Sequence, residues 1–308
     1  YFQKTKKPLS VILQISAIFS KAERFFSKNH HICSSKLTLK RMGQRFYKYQ
    51  GAGNDFIMID NRTQTFSPTT EYVAALCHRR TGIGADGLIL LENDEQQLFR
   101  MRYFNSDGGE ATMCGNGGRC IALFAHHLGI GGLLKTFNGV DGVHQAEILS
   151  ADATQGEVRL QMIDVRDPEI HPDYLFLNTG SPHYVTFIPD VRAVDVFHEG
   201  TKIRRSAQFA PIGGTNVNFV EILSDGHIRI RTFERGVEDE TLACGTGATA
   251  SALATAIHTH SSCRNFRVDV EGGTLWVSFE SPDLKNFDHI FLTGPARKVF
   301  SGETAEIF

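Results

Sequence analysis

The sequence predicts an α/β protein of α+β type, made of two copies of one unit. A strand, an acidic turn, a Cys-Gly-x-Gly motif and an apolar helix occur twice in that order, with Cys114 and Cys244 130 residues apart. Each copy runs somewhat over a hundred residues, which is domain size. The 308 residues and their 41% apolar fraction suffice to fill two cores and exclude disorder, fibres and coiled coil.

In the first copy, Phe56-Ile57-Met58-Ile59-Asp60 reads as a strand. Residues 70–80 set Val73, Leu76 and Cys77 at helical spacing, and 88–91 form a short apolar run typical of a buried strand. Residues 99–105 alternate as another strand. From Gly118, the pattern Ile121, Leu123, Phe124, Ala125, Leu128 marks a helix apolar on most faces and stopped by Gly129. In the second copy, Arg231-Thr232-Phe233-Glu234 matches Arg102-Tyr103-Phe104-Asn105, and Cys244-Gly245-Thr246-Gly247 with the small-residue run 248–254 matches Cys114-Gly115-Asn116-Gly117 and its helix. Asp167-Pro168 and His171-Pro172 interrupt regular structure, so the domains are expected at 42–168 and 169–308.

The formal charge of -2 provides no global positive field for nucleic acid or an anionic membrane. Residues 1–41 differ from the rest, with nine basic side chains against the single acid Glu23. They open Tyr1-Phe2-Gln3, the pattern of a tag remnant, and their apolar run 11–19 is too short to span a bilayer. They are expected to be an extension outside the fold, with Met42 as the natural start. Six cysteines, with no CxxC and no Cys/His pair at zinc spacing, read as free thiols in a reducing, cytoplasmic setting without a metal site.

Cys114 and Cys244 each precede Gly-x-Gly at the expected start of a helix. There the free backbone N–H groups and the helix dipole are expected to lower a thiol's pKa, and the same N–H groups can cradle a carboxylate. Two equivalent thiols do not suit a nucleophilic hydrolase, which needs a base and one oxyanion hole. Facing each other across one carbon, they suit an inversion: one as thiolate removes a proton while the other as thiol delivers one from the opposite side.

Several motifs together, Gly51-Ala52-Gly53-Asn54-Asp55-Phe56, residues 80–87, Phe104-Asn105-Ser106-Asp107-Gly108, Met113-Cys114-Gly115-Asn116-Gly117-Gly118-Arg119-Cys120, Asn216-Val217-Asn218-Phe219 and Glu234-Arg235-Gly236 through Cys244-Gly245-Thr246-Gly247, closely resemble the diaminopimelate epimerase family. The resemblance implies two pseudo-symmetric domains, each a curved, mostly antiparallel sheet wrapped around a central helix. It implies interconversion of LL- and meso-2,6-diaminopimelate, a small-molecule substrate, without pyridoxal phosphate or metal, in the lysine and peptidoglycan-precursor pathway; a homodimer is expected. Carried over by position, Cys114 and Cys244 are the acid-base pair, and Gly115, Asn116, Gly245 and Thr246 hold the reacting carboxylate. Asn54, Asn105, Asn216 and Arg235 resemble substrate contacts, with Arg235 suited to the remote carboxylate. Glu234 and His183 correspond to residues that tune the thiols or hold an amino group. The chain departs from the family pattern at Gly87, where some members have Gln, and at Ser181, where many have Asn. Arg119 is left outside the site. Two other readings stay open: a proline-racemase or phenazine-type isomerase of the same architecture, and a thiol-redox or anion-binding protein. The paired cysteines and Asn116 favour the epimerase.

Overall fold

The computed structural model describes residues 43–111 and 114–304. The extension 1–41, with Cys33, lies outside the described residues. In the first half, β1 (Arg45–Gly51) and β2 (Asn54–Asp60) form a hairpin through Ala52-Gly53, both at positive φ. Helix α1 (Thr70–Cys77), N-capped by the Thr69 hydroxyl, leads to β3 (Gly87–Glu92), β4 (Phe99–Asn105) and the short β5 (Glu110–Ala111). Helix α2 (Gly115–His127) follows, then β6 (Leu134–Gly139), β7 (Gly142–Ala151) and β8 (Gln155–Gln161). Two bridges, β9 (Val165–Arg166) and β10 (Glu169–Ile170), cross to the second half.

That half contains β11 (Leu175–Asn178), β12 (Pro182–Phe187), α3 (Val196–Arg204), β13 (Asn216–Ser224), β14 (His227–Glu234) and β15 (Asp239–Thr241). It ends with α4 (Gly245–Thr259), β16 (Asn265–Val270), β17 (Gly273–Glu280) and the long β18 (Asn286–Glu303). Strand pairing makes the repeat explicit. Along β1-β2-β3-β4-β6-β7-β8 the pairs run antiparallel, parallel, antiparallel, parallel, antiparallel, antiparallel. Along β11-β12-β13-β14-β16-β17-β18 the same sequence of pairings recurs. Helices α1 and α3 occupy equivalent crossovers, as do α2 and α4, so the fold is α+β with two pseudo-symmetric halves.

Strand β18 serves both halves. It pairs with β17, then at residues 291–297 with β8 and at residues 297–303 with β1, which closes eight strands into a barrel around α2. The helix is apolar on nearly every face because it is the barrel's filling: Cys120, Ile121, Ala122, Leu123, Phe124 and Ala125 are all buried. Alanines and Leu253 are likewise buried in α4, against the second half's sheet. Helix α2 begins at Gly115, three residues before its apolar pattern, since tertiary contact at its glycines outweighs their poor helix propensity. Helix α1 stops at Cys77 instead of running to Arg80; its next residues turn outward so that Arg79 reaches Asp55 at 2.8 Å and Asp86 at 2.6 Å. No helix among the described residues is long and apolar enough to cross a membrane.

Candidate active site

Cys114 and Cys244 are the N-cap residues of α2 and α4, each in extended backbone conformation and neither supplying a side-chain cap. The N–H groups of Gly115, Gly245 and Thr246 have no side-chain cap from these residues, while those of Asn116, Gly117 and Gly247 face the cysteine sulfurs. The glycines bring the two starts together. A Cβ on Gly115 would sit 3.4 Å from the Gly245 Cα, and one on Gly245 would sit 3.3 Å from the Gly115 Cα. Asn116 ties the halves by donating from Nδ2 to Ala243 O at 2.8 Å. The second glycine of the Cys244 motif is tighter still, because a Cβ on Gly247 would lie 2.5 Å from Asn218 Oδ1 and 3.3 Å from Cys244 Sγ.

Around Cys114, the thiol donates to Asn54 Oδ1 at 3.5 Å, which also receives Asn116 Nδ2 at 3.3 Å. Asn54 is oriented in turn by donating to Asp86 Oδ2 at 2.6 Å. Asp86 belongs to a cluster with Arg79 and Asp55, and Asp55 also pairs with the nearly buried Lys48 at 2.7 Å. Burial alone would raise the Asp55 pKa, but the Arg79 and Lys48 hydrogen bonds and charges win and hold it at about 2. Around Cys244, the sulfur lies 3.4 Å from Thr246 Oγ1. The Glu234 carboxyl also reaches this thiol, with Oε2 accepting from Thr241 Oγ1 at 2.9 Å.

The thiols are not acidified. Burial pushes Cys114 up to about 11, the Glu234 carboxylate adds to this, and the N–H groups of Gly117 and Asn116 oppose it only partly. Cys244 is raised well above the ordinary value by burial and then by Glu234, against the opposing Thr246 and Gly247 contacts. The expected lowering at a helix start is thus present but outweighed by desolvation. Burial likewise raises Glu234 and pushes His183 down to about 3, so the imidazole is neutral.

The remaining expected site residues divide into two groups. Asn216 is buried, donating to Ser181 Oγ at 3.1 Å and Pro182 O at 3.0 Å while its Oδ1 receives the Arg235 N–H at 2.8 Å. Arg235 is half-buried, and its guanidinium donates to Gly214 O at 3.4 Å. Asn105 ends β4 exposed, with its backbone closing the turn to Gly108 and Gly109. At Gly87 there is no room for a longer side chain, since a Cβ would meet the Tyr103 ring and Phe104 O at 2.5 Å. At Ser181 the hydroxyl touches His183, Asn216 and Thr246.

Two contributors have only faint sequence signals. Arg119 is completely buried, with no ion pair among the described residues; it donates to Asn116 Oδ1 at 2.9 Å and Gly115 O at 3.3 Å, leaving Nε unpaired. Its spacing of three from Asn116 puts both on one helical face. Asn218 shares a face of β13 with Asn216 by strand alternation, two buried amides in an otherwise apolar run.

The family model for diaminopimelate epimerase matches residues 46–161 and 175–299. A diaminopimelate epimerase of Flavobacterium psychrophilum is 51% identical over 257 residues, covering 83% of this chain and 98% of that protein. One from Chlorobaculum tepidum is 47% identical over 264 residues, with 82% and 98% covered. Among solved structures, a phenazine biosynthesis protein of the PhzF family from Bacillus anthracis superposes with a TM-score of 0.66 at 14% identity, covering 85% of this chain and 99% of that one. A probable proline racemase from Agrobacterium radiobacter gives 0.63 at 16%, covering 86% and 93%; at such identities these two speak for the fold alone. With its duplicated sheet-and-helix halves, paired Cys-Gly-x-Gly helix starts and nearly full-length relatives, the chain belongs to the diaminopimelate epimerase family.

Proposed function

We propose that this protein interconverts LL- and meso-2,6-diaminopimelate by passing one proton on and one proton off the α-carbon between Cys114 and Cys244. The family membership carries the activity, and the contact of the two helix starts through Gly115 and Gly245 is the observation that supports two thiols at one carbon. In the forward step a thiolate takes the α-hydrogen as a proton, and the electron pair of the broken C–H bond stays on carbon. The opposite thiol gives its proton to the other face and becomes the thiolate, so atoms and charge balance and the roles are exchanged for the return.

The orphan N–H groups of Gly115, Asn116, Gly245 and Thr246 would hold the α-carboxylate and spread the carbanion charge, as preorganised donors do. High thiol pKa values suit this work: a buried thiolate is a strong base once formed, and a weak carbon acid requires one. Asn54, Asn105, Asn216 and Arg235 are the proposed contacts to the rest of the substrate, with Glu234 and His183 supporting the thiols. A cytoplasmic, dimeric enzyme of lysine and peptidoglycan-precursor synthesis is the corresponding setting.

The test is epimerisation and α-hydrogen exchange in deuterated buffer. Cys114→Ala and Cys244→Ala should each abolish inversion, while any residual exchange labels opposite stereoisomers in the two variants. Near-wild-type inversion by either variant would overturn the two-thiol reading.

A further inference from the structure

The polar atoms behind Cys244 form a chain whose direction follows from which atoms carry hydrogen. It is rooted in the backbone: Asn218 Nδ2 donates to Tyr184 O at 3.0 Å, and Oδ1 accepts from Thr232 Oγ1 at 3.0 Å. Turning that amide round would set its oxygen against the Tyr184 carbonyl. The same Nδ2 lies 3.0 Å from His183 Nδ1 and has no lone pair to offer, so Nδ1 accepts and the ring hydrogen resides on Nε2. Nε2 is 3.0 Å from Ser181 Oγ and therefore donates to it. Ser181 Oγ also receives Asn216 Nδ2 at 3.1 Å, which leaves its own hydrogen for Thr246 Oγ1 at 3.3 Å. Having accepted that hydrogen, the Thr246 hydroxyl turns its own toward Cys244 Sγ at 3.4 Å.

We propose that Asn218, His183 and Ser181 are positioning residues that commit the Thr246 hydroxyl as a hydrogen-bond donor to the Cys244 sulfur, with His183 acting as a fixed neutral donor and not as a proton acceptor. The relay stabilises negative charge on this sulfur, and hydrogen bonds in series polarise one another. It also explains how Ser181 serves at its position: a hydroxyl can accept twice and donate once from a single atom. Burial keeps the His183 ring neutral, and the Arg235 charge facing it adds to this. Cys114 has no counterpart, since its sulfur meets the acceptor Asn54 Oδ1. The relay is one-sided, and that makes it testable.

This inference rests on Cys244 being one of the two reacting thiols, and the experiment separates the two ideas. Iodoacetamide alkylation of the full chain, resolved by peptide mass spectrometry across pH, reads each thiol independently. Ser181→Ala should slow Cys244 by about threefold to tenfold, the size of one neutral hydrogen bond, and leave Cys114 unaffected. Ser181→Thr, which keeps the hydroxyl, should restore the Cys244 rate. Equal slowing of both thiols, or no change at Cys244, would overturn the relay. In the unaltered protein, ¹⁵N spectra should show His183 as the Nε2–H tautomer with no titration between about pH 5 and 9; an Nδ1–H ring, or one that protonates in that range, would overturn it without any variant. Inversion surviving Cys244→Ala would instead remove the two-thiol reading and leave the tautomer result standing.

Discussion

Gly115 and Gly245 stand back to back, and a Cβ on Gly245 would come within 2.9 Å of Leu292 Cδ2 as well as 3.3 Å of the Gly115 Cα. The first glycine of each Cys-Gly-x-Gly motif is thus hemmed in by Leu292 of β18 and by the other copy of the motif together. Gly245→Ala should push Leu292 and the facing helix start away at a cost of about 1–3 kcal/mol, the range for overpacking a tight interior. Thermal denaturation reads the stability loss, and the epimerisation rate should fall by more than stability alone explains. An alanine variant matching wild type in both would mean that the contact is not as tight as described.

Arg119 carries a buried charge with no acid beside it among the described residues, and burial lowers its pKa. Replacing it removes a desolvation cost and strands no partner carboxylate, so Arg119→Met should unfold at a temperature equal to or above wild type. What it removes is the donor that orients Asn116, and through it Asn54 and the Cys114 thiol. Misplacing such groups reduces turnover by about tenfold to a hundredfold. Stability kept while kcat falls is the expected pattern, measured by melting and by steady-state rates on the same preparation; loss of both together would assign Arg119 to the scaffold only.

Lys48, 7% exposed at its side chain, pairs with Asp55 within the cluster that anchors Asn54 through Asp86. Lys48→Met leaves Asp55 less compensated and should destabilise by about 3 kcal/mol, less whatever Arg79 recovers. The acid limb follows from the sign of the Asp55 shift. Its pKa is lowered from 3.8 to about 2, so its stabilising contribution is full above the unfolded value and is lost as pH falls through the folded one. Denaturant midpoints taken between neutral and acid pH should drop over that window in wild type, and the drop should shrink in the variant.

Glu234 opposes ionisation of both thiols. Glu234→Gln should therefore speed alkylation of Cys114 and of Cys244 at fixed pH, the direction opposite to Ser181→Ala. In wild type the Cys114 rate should keep rising with pH toward about 11 instead of levelling near 9.0. A raised thiol pKa also contributes stability below 9.0 that is lost as pH climbs through about 11. Rates unchanged by Glu234→Gln would show that the carboxylate does not act on the sulfurs.

Local pattern carried much of this structure. Strand β4 occupies residues 99–105 as its alternation predicts, and the doubled motif located both helix starts and both thiols. Closure of the barrel was not legible, because it depends on β18 pairing with β1 across most of the chain and Pro295 lies within that strand. Nor could the thiol pKa values be read: a helix start and a burial depth push in opposite directions, and only packing decides between them. Ser181, Asn218 and Arg119 escaped for a related reason. Their importance lies in which atoms they meet across strands, as when Asn218 in β13 meets His183 in β12, and residue type alone does not report that.

Strand β18 also makes one half depend on the other. It comes after α4, in the second half of the chain, yet it is the stave that seals the barrel around α2, lying between β8 and β1. Without β18 the first half is an incomplete shell with β1 and β8 as edges, an invitation to wrong partners. The stave that closes the first half's barrel is thus on loan from the second half, and a cut between the halves would leave that barrel open.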